Sequence, residues 1–301
     1  MSNEYSLKDL LPFLELDEYI SFDLETTGLN PEKDKITEIA ASRFVNGEFT
    51  EEFTTLINPG IPIPKNISAL TGITNKMVEN SPIINDVLPD LIEFIGSTPL
   101  VAQNINFDYS FINNNLSTTD SPLSENPLYD TLSLARGFIY FHNSFSLGSL
   151  CDYYGIKIEN AHRAGTDALC TGKLFSYLIQ EVLSKPLTLI QRVDNLFGNA
   201  RVFNSNLFKN IIKTSVRLNK IDGLMPAPIN NNLSDNFYEY FGSNNTRVPK
   251  DPEEWFVEGG AISENWNGFE KRSSQTELIK DTFETFTKGH ILTAEAGTGL
   301  G

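Results

Sequence analysis

Asp23 and Glu25 stand two residues apart at the end of the run Tyr19-Ile-Ser-Phe-Asp-Leu-Glu-Thr-Thr-Gly28, an apolar stretch closed by a turn glycine. Residues i and i+2 of a strand share a face, so the run aims both carboxylates into one small volume. Like charges held that close either raise one pKa or call for a cation between them, and hard carboxylate oxygens are the ligands that Mg²⁺ and Mn²⁺ prefer. The alternative is a strand end whose acids face water, which is the commoner fate of an isolated Asp-x-Glu, so other acids must decide. Asp108 follows Phe107 just after the apolar Leu100-Val-Ala-Gln103, with Asn104 at the turn, and Asp167 lies at the start of a long helical pattern. His162 precedes Asp167 by five residues, roughly 140° apart on an ideal helix. The two cannot share a helical face, so joint action requires His162 in the loop before the helix.

In this order and spacing, Phe22-Asp-Leu-Glu-Thr-Thr-Gly28, Asn104-Ile-Asn-Phe-Asp108 and His162-Arg-Ala-Gly-Thr-Asp167 resemble the three exonuclease motifs of the DEDDh family, that of the DnaQ-type proofreading subunit of bacterial replicative polymerases. The resemblance runs from about Glu18 to Glu181, with Leu70-Thr-Gly-Ile-Thr74 and Tyr129-Asp-Thr-Leu132 where members carry similar segments. It implies an α/β, RNase H-like fold, with a mixed β-sheet flanked by helices. It also implies 3′→5′ removal of nucleoside 5′-monophosphates from single-stranded ends; DNA is the leading substrate, and RNA stays open because no residue in the sequence is read as meeting the 2′ hydroxyl. By that analogy two divalent cations, Mg²⁺ or Mn²⁺, are bridged by Asp23; Glu25 and Asp167 complete one shell, and Asp108 supports the second directly or through water. His162 takes the proton from the attacking water. Candidate substrate contacts are Leu24 and Phe107, at the terminal base, with core packing the alternative for Phe107; Thr26, whose hydroxyl and amide either meet the 3′ end or only satisfy the turn; and Asn104. Gln103 stands where many relatives have histidine, a change read as affecting substrate contacts and leaving catalysis intact. Asp130 reads as a structural cap outside the site.

The elements that must position these residues follow from periodicity. Ile36 to Val45 reads as a second strand, Asn46-Gly47 as a tight turn and Phe49 to Asn58 as a third strand, together an antiparallel meander. Pro59, Pro62 and Pro64 interrupt regular structure, and Leu70, Val78 and Val87 to Ile95 carry helical spacing. Phe107–Leu116, Phe145–Tyr154 and Arg163–Leu183 are expected helices. Beyond Pro186, Leu189, Val193, Leu196 and Phe197, then Leu207, Ile211, Ile212 and Val216, mark two amphipathic helices.

At 301 residues with 40% hydrophobic content, the chain can bury a core and accommodate two units. Its 23 basic against 39 acidic residues, net −16, argue against a protein that grips duplex DNA by broad phosphate neutralisation. They leave room for an enzyme that holds a few nucleotides through metal ions. The N-terminus lacks a secretory signal pattern and no run is long and apolar enough for a membrane span, so a cytoplasmic location without membrane partners is expected. Cys151 and Cys170 have no zinc or disulfide-framework spacing.

The C-terminus carries a second signal. Ser274-Gln-Thr-Glu277 matches a capping box before an amphipathic helix, and His290-Ile-Leu-Thr-Ala294 reads as a strand leading into Ala296-Gly-Thr-Gly-Leu-Gly301. With Arg272-Ser-Ser-Gln275 upstream, this resembles the Q-motif and glycine-rich phosphate loop of DinG-family superfamily 2 helicases, placing Gln275, Gly297, Thr298, Gly299 and Gly301 in an incomplete nucleotide site. The resemblance implies a fragment of a longer exonuclease–helicase, whose full-length relatives bind ATP through the missing part; unwinding by this chain is not expected. The expected organisation is an exonuclease domain over 1–185, a partly helical connector over 186–254, and the start of a P-loop helicase domain over 255–301. Two other functions stand beside the exonuclease: a nucleotide-binding helicase subunit with an accessory nuclease domain, and a non-catalytic nucleic-acid adaptor. The missing Walker lysine weighs against the first, and the full set of acids with His162 weighs against the second.

Overall fold

The computed structural model describes residues 5–116, 125–140, 142–158, 163–197, 203–228, 257, 259 and 273–288. They fall in two units, Met1–Leu233 and Ser234–Gly301. The first unit contains strands β1 (Glu18–Thr26), β2 (Ile36–Val45), β3 (Glu48–Leu56), β4 (Leu100–Ala102) and β5 (Leu128–Asp130), in the sheet order β3-β2-β1-β4-β5. β1, β2 and β3 form the expected antiparallel meander, and β4 and β5 add in parallel. The sheet is therefore mixed, as expected. Asn46 and Gly47 both take positive φ, 52° and 82°, the conformation that lets a two-residue turn follow the twist of its strands.

Helix α1 (Leu7–Leu10) and a tight 3-10 turn (Leu11–Leu14) precede the sheet. Between β3 and β4 come α2 (Lys65–Thr71), α3 (Asn75–Val78) and α4 (Ile84–Ile95); α5 (Ile105–Leu116) follows β4. After β5 come α6 (Thr131–Phe138), α7 (Leu147–Tyr154), α8 (Ala164–Leu183), α9 (Leu187–Phe197) and α10 (Ser205–Leu218). In the second unit the described element is α11 (Ser273–Lys288). It begins one residue before the expected capping serine, so Ser274 lies within its first turn. None of the described helices is long and apolar enough to cross a membrane.

Alternation along β1 divides the core. Ile20, Phe22 and Leu24 pack with Val87, Leu88, Leu91 and Ile95 of α4 and Phe111 and Ile112 of α5. Tyr19 belongs to the other cluster, with Leu174, Phe175 and Leu178 of α8. Because side chains alternate, Asp23 and Glu25 share the face of Tyr19 and Ser21, the one that α8 covers. Tyr19 stacks on Phe44 with centroids 5.1 Å apart and its hydroxyl donates to the Gly172 carbonyl at 3.0 Å. Ser21 Oγ donates to the Ala168 carbonyl at 2.7 Å. These bonds draw α8 so close to the sheet that a Cβ at Gly172 would lie 2.0 Å from the Phe44 ring and 2.6 Å from Ser21 Oγ.

Packing does not break at Pro186. Ile190 of α9 and Leu207, Phe208 and Ile211 of α10 are buried in the same cluster as Leu10, Leu11 and Leu14. Asn210 Nδ2 donates to the Leu14 carbonyl at 2.9 Å, and Leu224 N–H to the Leu183 carbonyl at 2.8 Å. The compact unit thus takes in the helical part of the segment read as a connector. Cys151 and Cys170 are buried free thiols.

The approach of α8 to the sheet yields a test. Gly172→Ala is expected to cost about 1–3 kcal/mol through overpacking. In α7, an added Cβ at Gly148 meets nothing within 4 Å, and Gly148→Ala is expected to be neutral or stabilising by up to about 1 kcal/mol. Scanning calorimetry of the two variants distinguishes close packing from a general intolerance of helix substitution.

Candidate active site

β1 delivers Asp23 and Glu25, and the first turn of α8 delivers Asp167. One carboxylate oxygen from each lies within 4.8 Å of the other two, and all three side chains are half-buried. Asp108 approaches from α5 and is buried, 3% exposed. β4 pairs with β1 only at Ile20 and Ser21, which leaves the β1 edge beyond them to another partner. Leu24 N–H, between the two acids of the strand, donates to Asp108 Oδ1 at 3.1 Å.

The electrostatics are those of crowded anions. Burial, then the charges of Asp108, Asp167, Glu25 and Glu38, hold the Asp23 carboxyl well above the usual carboxylate range. Burial also pushes Asp108 up, against the opposing effect of the Leu24 N–H. Glu25 is pushed up to about 7 by burial and by Asp167 and Glu38, while Arg163 pulls it back. The donor set consists of hard carboxylate oxygens, and no thiol or described imidazole joins it. It suits Mg²⁺ or Mn²⁺ better than zinc, and two such cations would neutralise the charge that raises these pKa values.

Two devices position these residues: one, at Glu38, has no counterpart in the sequence expectations, and the other, at Asp130, is the expected cap with a further reach to α5. Glu38, opposite Glu25 in the β1–β2 register, is 1% exposed. It accepts from both Nε and Nη2 of Arg163, and from the Ala164 N–H at 3.0 Å. The N-cap of α8 is Arg163, whose own side chain makes no cap bond, so the strand carboxylate caps the helix that carries Asp167. A lone acid inside the apolar Ile36-Thr-Glu-Ile-Ala-Ala41 was the available signal. The second device is Asp130. Its Oδ1 accepts from the Asn104 N–H at 2.8 Å and the Ile105 N–H at 3.4 Å, opening α5. The same carboxylate accepts from the Leu132 and Ser133 N–H groups, at 3.3 and 3.1 Å, opening α6.

The expected substrate contacts fare differently. Leu24 is 5% exposed and packs on the opposite sheet face, which removes its side chain from the acidic face; strand alternation, read correctly for the acids, dictates this. Thr26 is buried, and its Oγ1 donates to the Gly28 carbonyl at 2.6 Å, satisfying the turn. Asn104 is exposed at φ 65°. Phe107 is half-buried and packs against Phe111 with centroids 5.0 Å apart. His162 lies outside the described residues, as do Gly297, Thr298, Gly299 and Gly301; Gln275 lies in α11.

The sequence model of the family described as exonuclease matches residues 20–175. The chain is 40% identical over 166 residues to the PolC-type DNA polymerase III of Clostridium perfringens, an alignment covering 55% of this chain and 11% of that protein. It is 36% identical over 167 residues to the DNA polymerase III epsilon subunit of Aquifex aeolicus, covering 56% of this chain and 83% of the subunit. A solved exonuclease X in complex with 5′-overhanging duplex DNA is 26% identical, covering 54% of this chain and 90% of that one with a TM-score of 0.45.

Three measurements follow from the crowded acids. Asp23→Asn is expected to raise the Tm of the metal-free chain by a few degrees, about 1 kcal/mol, and to abolish the further rise on adding Mn²⁺. Glu25 binds its proton more tightly when folded, so the stability it contributes is complete below about 4.5 and is lost as pH rises through about 7. Urea midpoints in EDTA should fall across that window, and less so in Glu25→Gln. Arg163→Ala leaves Glu38 buried without its cation and is expected to cost about 3 kcal/mol; adding Glu38→Gln should restore part of the loss in a double-mutant cycle.

Proposed function

The chain belongs to the exonuclease family, and from that premise we propose that it removes nucleoside 5′-monophosphates from the 3′ ends of single-stranded DNA, with RNA as a second substrate. The observation that carries this reading is the meeting of Asp23, Glu25 and Asp167 within 4.8 Å. A phosphodiester brings its own negative charge, and such a group of acids can face it only across cations. Asp23, Glu25, Asp108 and Asp167 are the residues that would hold two divalent ions. Bound there, the ions supply charge neutralisation at the scissile phosphate and a more acidic water.

The chain's own groups do the rest. Asp108, tied to the Leu24 amide, sets its carboxylate against the Asp23 side of the site. Glu38 holds Arg163, and so holds the backbone immediately after His162. His162, which titrates near pH 6.5 when unperturbed, takes the proton from the attacking water. The exposed Asn104 and the half-buried Phe107 are available for substrate contact. Similarity to an epsilon subunit and to PolC-type polymerases supports a setting in DNA replication or repair. The glycine-rich Ala296–Gly301 supports, by sequence resemblance, a helicase-bearing relative of DinG type. In that layout 1–185 is the nuclease, 255–301 the start of the motor, and 186–254 the connector between them in sequence, its helices α9 and α10 packed into the nuclease core.

Single-stranded DNA and RNA labelled at either end test the reading. With Mg²⁺ or Mn²⁺, 3′ label should leave at once as mononucleotide and 5′ label should pass through a descending ladder; EDTA should stop both. Immediate release of 5′-labelled mononucleotide would contradict the polarity. His162→Ala is expected to lower kcat by about 10²–10⁴-fold while Mn²⁺ binding persists, and full activity in that variant would remove His162 from the mechanism.

A further inference from the structure

We propose that Asn204, which lies beyond the residues matched by the exonuclease family model, is a positioning residue for the hydrolytic site, fixing Asp108 against β1 through Asp130. The inference rests on the exonuclease reading, since Asp108 is assigned its role there. Asn204 is 3% exposed at a φ of 69° and directly precedes α10. Its Oδ1 accepts from the Asp130 N–H at 2.9 Å, and its Nδ2 donates to the Asp130 carbonyl at 3.0 Å and to Ser133 Oγ at 2.8 Å. Its own N–H donates to the Leu128 carbonyl at 3.2 Å. β5 is the outermost strand among the described residues, and one asparagine meets its outer backbone as a further strand would.

That edge matters because of what Asp130 does on its other side. Its Oδ1 receives the Asn104 and Ile105 N–H groups where α5 begins, and one turn later α5 presents Asp108 to the Leu24 N–H. Every link from Asn204 to the peptide between Asp23 and Glu25 is therefore a hydrogen bond or a single helical turn. Asn204 is itself anchored. Phe203 packs against the α4 and α5 side of the core, and α10 is tied to the N-terminal turn through Asn210, whose Nδ2 donates to the Leu14 carbonyl. A residue that only filled space would not need both amide atoms engaged in a left-handed conformation, which asparagine and glycine tolerate best.

The test uses the full chain. Asn204→Gly keeps the backbone conformation and deletes the side chain; Asn204→Asp keeps the acceptor for the Asp130 N–H and loses both donors. Well below the Tm, Asn204→Gly is expected to lower kcat about five-fold or more with KM changed by less than about two-fold. The Leu24 amide should exchange with solvent about tenfold faster, while amides of the β2–β3 pairing are unchanged. Asn204→Asp should fall between wild type and Asn204→Gly in both readouts, which keeps the test open if the glycine variant does not fold. Wild-type kcat and wild-type Leu24 protection in a folded variant would overturn the proposal, as would a lowered kcat with Leu24 protection intact. A wild-type chain inert on every labelled substrate would instead overturn the exonuclease reading, and Leu24 exchange would then decide the positioning alone.

Discussion

Mutual repulsion among carboxylates is the constraint around which the first unit is arranged. Two unit charges no more than 4.8 Å apart at an effective dielectric constant near 20 repel by on the order of 3 kcal/mol. Three such pairs approach the whole net stability of a typical domain, about 5–15 kcal/mol. The acids must therefore take up protons or cations, and Glu25, raised to about 7, shows which way the fold leans when only protons are present. Holding the group together without a cation opposes folding. Its persistence is intelligible as stability exchanged for a ready-made ion site.

The surrounding elements make that exchange workable by satisfying each approach to the acids. β1 is long enough to carry its carboxylates past the end of β4, so that Asp108 takes the Leu24 N–H where sheet pairing has stopped. Glu38 stands in for the missing side-chain cap of α8, and Arg163 keeps that buried carboxylate from becoming a further unbalanced charge. Asp130 opens two helices with one carboxylate. Tyr19 and Ser21, on the same strand face as the acids, bind α8 through its backbone carbonyls, with Gly172 allowing the approach. The local chemistry is therefore set by hydrogen bonds between residues far apart in the chain.

Those distances explain what could be read beforehand. The strand alternation that turned Asp23 and Glu25 to one face, the Asn46-Gly47 turn and the amphipathic stripes of α8, α9 and α10 are local patterns, and they were legible. β5 was not, since Leu128-Tyr-Asp130 has neither a period nor the unbroken apolar run that marks the equally short β4. α5 starts at Ile105, two residues before the apolar pattern suggested, because its first turn is capped by Asp130 from another strand. The Glu38–Arg163 pair spans the sheet and leaves only a faint trace, one acid in an apolar strand. Leu24 was misjudged as a base contact because its neighbours in sequence are the acids, whereas its neighbours in space are Phe22 and the α4 and α5 side chains. Pro186 reads as a break, yet the chain beyond it returns to the same core. The residues of the glycine-rich C-terminal motif lie outside the described structure.

The central claim is that the converging acids form a binuclear cation site. Titrating the 301-residue chain with Mn²⁺ and following free and bound ion by electron paramagnetic resonance tests it most directly. The expected result is two ions per chain with a spin-coupled spectrum, lost together in Asp23→Ala. A single uncoupled Mn²⁺ signal, or two ions retained in Asp23→Ala, would contradict the account.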